Sequence, residues 1–410
     1  MTRVQLFAGV LTATLFLANH TLAGGFQLNE HGARAMAQGG AFAARASDGS
    51  AIYFNPAGLG FQSDASVYAG ITTISPTISF YGPVESDPGV KTSMVSQTFT
   101  PFNVYLVAPV TDRLVVGIGA YNPFGLGTEW PNGWAGRFLT TKVDLKTYFV
   151  TPTASYRLTD QLSIGAGLNY VMGSVMLGQD LAVSSVDLPT SPHVSVSMHA
   201  TGVGYNVGLL YKPLDVLSVG ASYRGSVKLD AKGNVSFNPD YAALALPTGG
   251  VNTTIKLPAT GFVGVAWTPM KDLQVEADYQ FIGWSSYDQL TLHFAADNSE
   301  TVAPKNYQDT YMLRVGGEYT MDAFHFRAGY VYDHSPVKTE YVDPLLPDAN
   351  RNGVSLGLGY DITSHLSVDA AYFYLKFDQR VAVNTIPQTS FDGTYTSHAH
   401  LASVDFGYRF

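Results

Sequence analysis

The side chains able to do chemistry are scattered along this chain rather than gathered into a motif. The 10 histidines are dispersed, and only His398 and His400 share a strand face, without an obvious third ligand, so no metal site is expected. Cysteine is absent, which excludes a disulfide framework and any thiolate site. There is no G-x-S-x-G nucleophile elbow, no Walker A phosphate loop and no dinucleotide fingerprint. No catalytic residue, no cofactor and no enzyme activity are therefore expected. Two other groups stand out. The long stretch 123–143 carries Phe124, Leu126, Trp130, Trp134, Phe138 and Leu139, with Arg137 and Lys142 beside them. So apolar a loop is either a binding surface or a satellite core that holds the loop closed. The second group is a set of charges, Arg224, Lys228, Arg314, Glu318, Arg327 and Arg351, which strand phase or loop position places toward an interior. Arg314 with Glu318, and Arg327 with Asp333, share a face, so structural pairing is their default.

The elements that would position these groups are strands. Leu273, Val275, Ala277, Tyr279 and Phe281 alternate with Gln274, Glu276, Asp278 and Gln280. Phe324, Phe326, Ala328, Tyr330 and Tyr332 alternate with His325, Arg327 and Asp333, and Val219, Ala221, Tyr223, Val227 and Leu229 are assigned one common face. A period of two with an apolar outer face and a charged inner face describes a strand whose two sides meet different solvents. Charged residues are only 13% of the 410, against about 25% in ordinary soluble domains, while Gly (41), Tyr (25) and Phe (23) are abundant. The net charge of −9 argues against a nucleic-acid partner.

Arg3 followed by an apolar run and by Thr21-Leu22-Ala23 predicts a signal peptide over 1–23. Beyond it no apolar run of 18 residues exists, so helical spans are not expected. Six tight connections, each near a Thr, Pro, Asp or Ser, alternate with longer polar loops and predict fourteen strands: 66–81, 96–109, 114–122, 144–158, 162–177, 196–213, 217–235, 253–268, 273–294, 306–321, 325–336, 351–363, 367–382 and 399–410. The expected fold is all-β, a 14-stranded antiparallel transmembrane β-barrel over 63–410 in a bacterial outer membrane, both termini on the periplasmic side. The 273–294 strand is long enough to contain a bulge or a further turn. Phe406, Tyr408 and Phe410 end the chain on one face, like the terminal aromatic signal read by the barrel assembly machinery. Residues 24–62 are rich in Ala and Gly and break sharply at Asn55-Pro56-Ala57-Gly58. A barrel this wide leaves a lumen that side chains alone do not fill, so this segment is expected to be an N-terminal hatch plugging it.

Several stretches resemble the FadL/TodX (OmpP1) family of outer-membrane transporters for hydrophobic compounds. They are Gly25-Phe26-Gln27-Leu28-Asn29-Glu30, Asn55-Pro56-Ala57, Gly133-Trp134-Ala135-Gly136-Arg137-Phe138, Lys256-Leu257-Pro258, Gln280 to Trp284, Arg314 to Tyr319, Arg327-Ala328-Gly329-Tyr330, Asp333 to Pro336 and Pro347-Asp348-Ala349-Asn350-Arg351. The resemblance implies passive transport of long-chain fatty acids, with uncharged aromatic hydrocarbons as the alternative cargo. It also implies an outer apolar groove, a deeper pocket, and a lateral opening at an inward kink of an early strand. Monomeric action is expected, with outer-membrane lipid and lipopolysaccharide around the barrel and service as a bacteriophage receptor in some members. For the groove the candidates are the apolar residues of 123–139 with Arg137 and Lys142. For hatch and gate they are Phe26, Asn55, Pro56 and Ala57, with Gly117 and Gly119 as the kink or Asn122-Pro123 as the strand's exit turn. An open porin would show a wide charged lumen without a plug, and an adhesive barrel no ligand-dependent flux.

Overall fold

The computed structural model describes residues 25–83, 89–183, 188–383 and 391–410; the expected signal peptide lies outside them. Among the described residues the chain forms a closed antiparallel barrel of fourteen strands. They are β1 (Ser66–Tyr81), β2 (Phe102–Pro109), β3 (Leu114–Tyr121, then Gly125–Glu129), β4 (Lys142–Arg157), β5 (Leu162–Asp180), β6 (His193–Leu214) and β7 (Leu217–Arg224, then Val227–Asn238). The ring continues with β8 (Gly249–Leu257, then Thr260–Met270), β9 (Leu273–Ile282, then Gln289–Phe294), β10 (Glu300–Pro304, then Thr310–Met321), β11 (Phe324–Asp333), β12 (Arg351–Asp361), β13 (Leu366–Phe377) and β14 (Gly393–Arg409). Each pairs with its neighbours, and β1 closes on β14 from Ser66↔Arg409 to Tyr81↔Thr394. Closure leaves no long edge of unpaired amides in lipid.

The six tight turns fall where the sequence places them, because hydroxyls there can cap the backbone. Thr111, Thr159 and Thr363 each accept a hydrogen bond from the amide three residues on, at 3.0–3.1 Å. Strand ends are less well anticipated. The ladder of β2 begins at Phe102, not at 96, whereas β14 extends up to Gly393 and β5 to Asp180. The 273–294 strand is interrupted by the 3-10 turn Trp284–Ser286. A pair of residues, Gly225 and Ser226, interrupts β7, and it inverts the phase above it: Arg224 points inward, and so do Val227 and Leu229. Lys228 therefore faces outward, with its side chain 64% exposed beside Asp230, and is not a lumen charge.

The residues facing lipid are Leu, Val, Tyr and Phe; Leu356, Val315, Leu168 and Phe406 are examples. The inward residues divide by height. Toward the tight turns they are polar or charged, such as Asn206, Glu276, Asp278, Arg327 and Asp405. Toward the long loops they are mostly apolar, such as Val175, Met198, Leu229, Phe373 and Leu401, with the Asp333–Arg351 pair among them.

Residues 25–62 are almost wholly buried and pack against inward side chains of the strands. They contain α1 (Ala33–Met36), α2 (Ala51–Phe54) and the 3-10 turn Pro56–Phe61. Helices this short cannot satisfy their own amides, and the inward carboxylates of the barrel accept them instead. The Ala33 amide donates to Asp405 (2.6 Å), those of Phe42 and Ala43 to Asp278, and that of Ala44 to Glu276. Glycine allows the approach: a Cβ at Gly208 would collide with Asn55 Oδ1, and one at Gly220 with the Ala43 carbonyl.

Candidate functional site

Above the buried segment lies a cavity of about 650 Å³. Phe26, Phe124, Leu126, Phe373, Leu375 and Leu401 supply much of its apolar wall. It is not confined to the lumen. On β4 it touches the inward residues Val143, Leu145 and Thr147 and also Lys146 and Tyr148, which face outward. A cavity lined by both faces of one strand reaches into the wall there.

The strand ladder is interrupted there for a traceable reason. β2 pairs with β1 only from Ser66 to Ile71. Higher up, the chain from Lys91 to Phe99 runs along β1 in its place, through the short strand Lys91–Ser93 and the bridge between Ile74 and Phe99. Across from it, β3 breaks at residues 122–124, where Pro123 has no amide to give. Side chains replace the missing ladder: Asn122 Oδ1 accepts the Phe102 amide (3.0 Å), Asn122 Nδ2 donates to Thr147 O (2.7 Å), and Thr147 Oγ1 donates to Phe124 O (2.7 Å). The ring of Phe99 packs against Gly127, where a Cβ would overlap it, and so covers the gap. The Val95 amide reaches Glu129 O (2.7 Å) above it.

The start of the buried segment is stitched to this break. Leu28 N donates to Pro123 O (2.9 Å), Gly125 N to Phe26 O (3.0 Å), and Gln27 bridges Phe124. Phe26 packs edge-on against Phe124 and Trp284 at centroid distances of 6.1 and 4.5 Å. Over the top, the 334–350 loop folds inward and places Leu346, Pro347 and Asp348 on the cavity. Asp348 accepts from Gly25 N (3.1 Å) and Ser335 Oγ (2.7 Å), and burial pushes its carboxyl up to about 6 against the pull of Arg351.

The residues singled out from sequence separate into groups. Phe124, Leu126 and Lys142 line the cavity. Trp130 and Trp134 stack on each other (4.3 Å), and their ring N–H groups bond Pro344 O and Thr140 O. Arg137 lies over the Phe138 ring, bonds Trp134 O and faces Asp180 at 3.7 Å, while Leu139 packs on the core. Gly117 and Gly119 sit in an unbroken part of β3, paired on both sides, and leave room for the Ile52 side chain. The chain breaks at residues 122–124 instead. Asn55 is fully buried; its Nδ2 donates to Ala43 O (2.8 Å) and Leu209 O (3.0 Å), and its Oδ1 accepts the Ala57 amide (3.2 Å). Pro56 opens the 3-10 turn against Gly165.

The charges do not pair as their spacing suggested. Glu318 bonds Arg327 and Arg34, not Arg314. Arg327 also holds Asp369, and Asp333 pairs with Arg351 (3.0 Å). Arg224 reaches Tyr121 Oη, Asn169 Oδ1 and Tyr53 O. Arg314, 1% exposed, makes no ion pair among the described residues. Phe99, Gly127 and Thr147 carried no chemical signature in the sequence, whereas Asn122-Pro123 did as the exit turn of the strand.

A closed barrel with an internal segment, an apolar cavity and a breach in its wall defines a transport protein of the outer membrane. The chain belongs to the outer membrane protein transport protein family (OMPP1/FadL/TodX), whose model matches residues 14–410. It is 25% identical to the long-chain fatty acid transport protein of Escherichia coli K12, with 98% of each chain covered. Among solved structures it superposes on a Pseudomonas aeruginosa FadL homologue with a TM-score of 0.84, at 23% identity over 94% of this chain and 100% of the other. The Pseudomonas putida toluene transporter TodX follows with 0.75, at 20% identity over 93% and 98%.

Proposed function

We propose that this protein carries long-chain fatty acids passively across the outer membrane, with residues 24–62 as a hatch, 63–410 as the barrel and 1–23 as a cleaved leader. The observation that carries this reading is the apolar cavity lined by both faces of β4. Burying an alkyl chain there gains roughly 0.8 kcal/mol per CH₂, enough to draw a long chain out of water and weak enough per group to let it slide. Ligand enters beneath the 334–350 loop, passes Phe26 and Phe124, and leaves sideways into the membrane past Phe99. The Asn55-Pro56-Ala57 turn anchors the hatch while its first residues move. No bond is made or broken on this route, so no catalytic group is required. Both termini face the periplasm, the barrel assembly machinery inserts the chain, lipopolysaccharide surrounds it, the protein acts as a monomer, and its outer loops are open to bacteriophage.

Cells carrying this protein as their only member of the family are expected to take up labelled oleate saturably. Leu126→Trp, which adds bulk to the cavity wall, is expected to lower that uptake at least about fivefold with normal insertion. Absence of oleate uptake by correctly folded wild-type protein would overturn the reading. The second cargo, uncharged hydrocarbons, is favoured by the apolar wall alone and is tested with toluene in the same cells.

A further inference from the structure

The outer wall of the barrel changes character part-way up β6, β7 and β8. Going up β6, the outward residues are Tyr211, Leu209, Val207, Tyr205 and Val203, and then Thr201, His199 and Ser197. From Tyr211 to Val203 they cover roughly 20 Å of height at a tilt of about 40°, most of the apolar band of such barrels. Thr201 and His199 therefore stand at the level of the lipid head groups. At that level β7 and β8 turn a set of lysines outward. Gly225-Ser226 on β7 faces Pro258-Ala259 on β8, between the pairs Arg224↔Thr260 and Val227↔Leu257, and both strands exchange faces there. Above the exchange Lys228 stands directly opposite Lys256, and Lys232 directly opposite His199. Side chains so placed are about 5 Å apart at Cβ, and like charges there repel. One carboxylate, Asp230, lies among them, 3.2 Å from Lys228. Lys232 and Lys256 are exposed and make no ion pair among the described residues. The outward lysines of β4 are matched instead, Lys142 by Glu129 (2.7 Å) and Lys146 by Asp144 (2.8 Å). On a chain of net charge −9, the face of β6–β8 keeps a local excess of positive charge.

We propose that this face binds the phosphorylated head group of an outer-leaflet glycolipid. The lysines meet phosphate, whose several charged oxygens answer two ammonium groups at once. Thr201, Thr254 and Asn252, which stand opposite Asp230 and Lys232, meet sugar hydroxyls. The acyl chains descend over the exposed Val203, Tyr205, Tyr223 and Val263. A soluble anion would use the lysines alone and leave that apolar surface idle. The exchange of faces at Gly225-Ser226 gains a purpose, since it turns Lys228 outward and Val227 inward. The assignment rests on the reading that the long loops face outward, and it is independent of the cargo.

The test is equilibrium binding of fluorescent bis-phosphorylated lipid A to the full-length protein in nonionic micelles at about 0.1 M salt. Wild type is expected to bind it saturably, at least about tenfold tighter than dephosphorylated lipid A or phosphatidylglycerol. Lys232→Gln with Lys256→Gln is expected to weaken binding of the phosphorylated lipid about tenfold. Arg113→Gln with Lys271→Gln, an equal loss of charge at exposed tight turns, is expected to leave it unchanged. Asp230→Asn, which removes the one carboxylate, is expected to tighten binding about threefold and supplies the answer should the double-lysine variant not assemble. Equal binding of the three lipids by wild type would overturn the assignment, as would equal loss in both double variants or no gain in D230N. Displacement of the lipid by inorganic phosphate at equal concentration would mark a site for a free anion and overturn it too. Every outcome is read without oleate, so the assignment holds or fails separately from the transport reading.

Discussion

The lower and upper halves of the lumen are built from the same strands but solve opposite problems. Below, inward Glu276, Asp278, Glu318 and Asp405 meet a backbone with unpaired amides and the cations Arg34 and Arg45. Every bond there is directional, so the segment has one seat. Above, Phe373, Leu375, Leu401 and Leu126 offer surface without direction, and a flexible chain can bind in many poses. Polar burial fixes a part of the protein, and apolar burial accommodates a passenger.

The largest effect should come from breaking the lower half. Glu318→Ala leaves Arg34 and Arg327 short of a shared anion, at a cost of about 3–5 kcal/mol. Hydrogen exchange of residues 25–62 is expected to quicken sharply while the strand ladders stay protected; unchanged exchange would show that the ion pairs do not set the seat. Asp348, at the roof of the upper half, should have a smaller effect that depends on pH. Its folded value of about 6 exceeds the ordinary 3.8, so the folded chain binds that proton more tightly. Its contribution to stability therefore grows as pH falls from about 6 toward 4, by at most about 3 kcal/mol. Thermal unfolding in micelles should show this slope in wild type and lose it in Asp348→Asn. In the wall, Phe99→Ala is expected to raise the passage of small uncharged hydrocarbons about two- to fivefold, measured in whole cells. The smallest effect belongs to Lys228→Ala, within about 0.5 kcal/mol, because its side chain is on the outside.

The barrel was legible because a period of two, turn hydroxyls and an even count of strands are local properties. Register is not local. Arg314 and Glu318 share a face, but four residues along a strand are about 13 Å, too far for an ion pair. The partner of Glu318 lies directly opposite on the next strand, at Arg327. Spacing within a strand thus names the face and misses the pair. Lys228 was misplaced for a related reason: Gly225-Ser226 inverts the phase of β7, and nothing in their composition marks an odd shift rather than an even one. Most of the candidate site had no signature. Leu126, Lys142 and Phe124 stood out by composition, whereas Phe99 and Gly127 matter only because two breaks, far apart in the chain, lie side by side.

One feature of the buried segment bears on how the molecule is made. Gly25 bonds Asp348, Ala33 bonds Asp405 and Arg34 bonds Glu318, across separations of 323, 372 and 284 residues. The part of the chain synthesised first therefore has its partners among the last to be made. Loop-closure entropy opposes such contacts until the intervening strands have shortened the path between them. The N-terminal segment is therefore expected to take its place last, after the β1–β14 seam has formed, and a chain truncated before Asp405 has lost a partner for its own beginning.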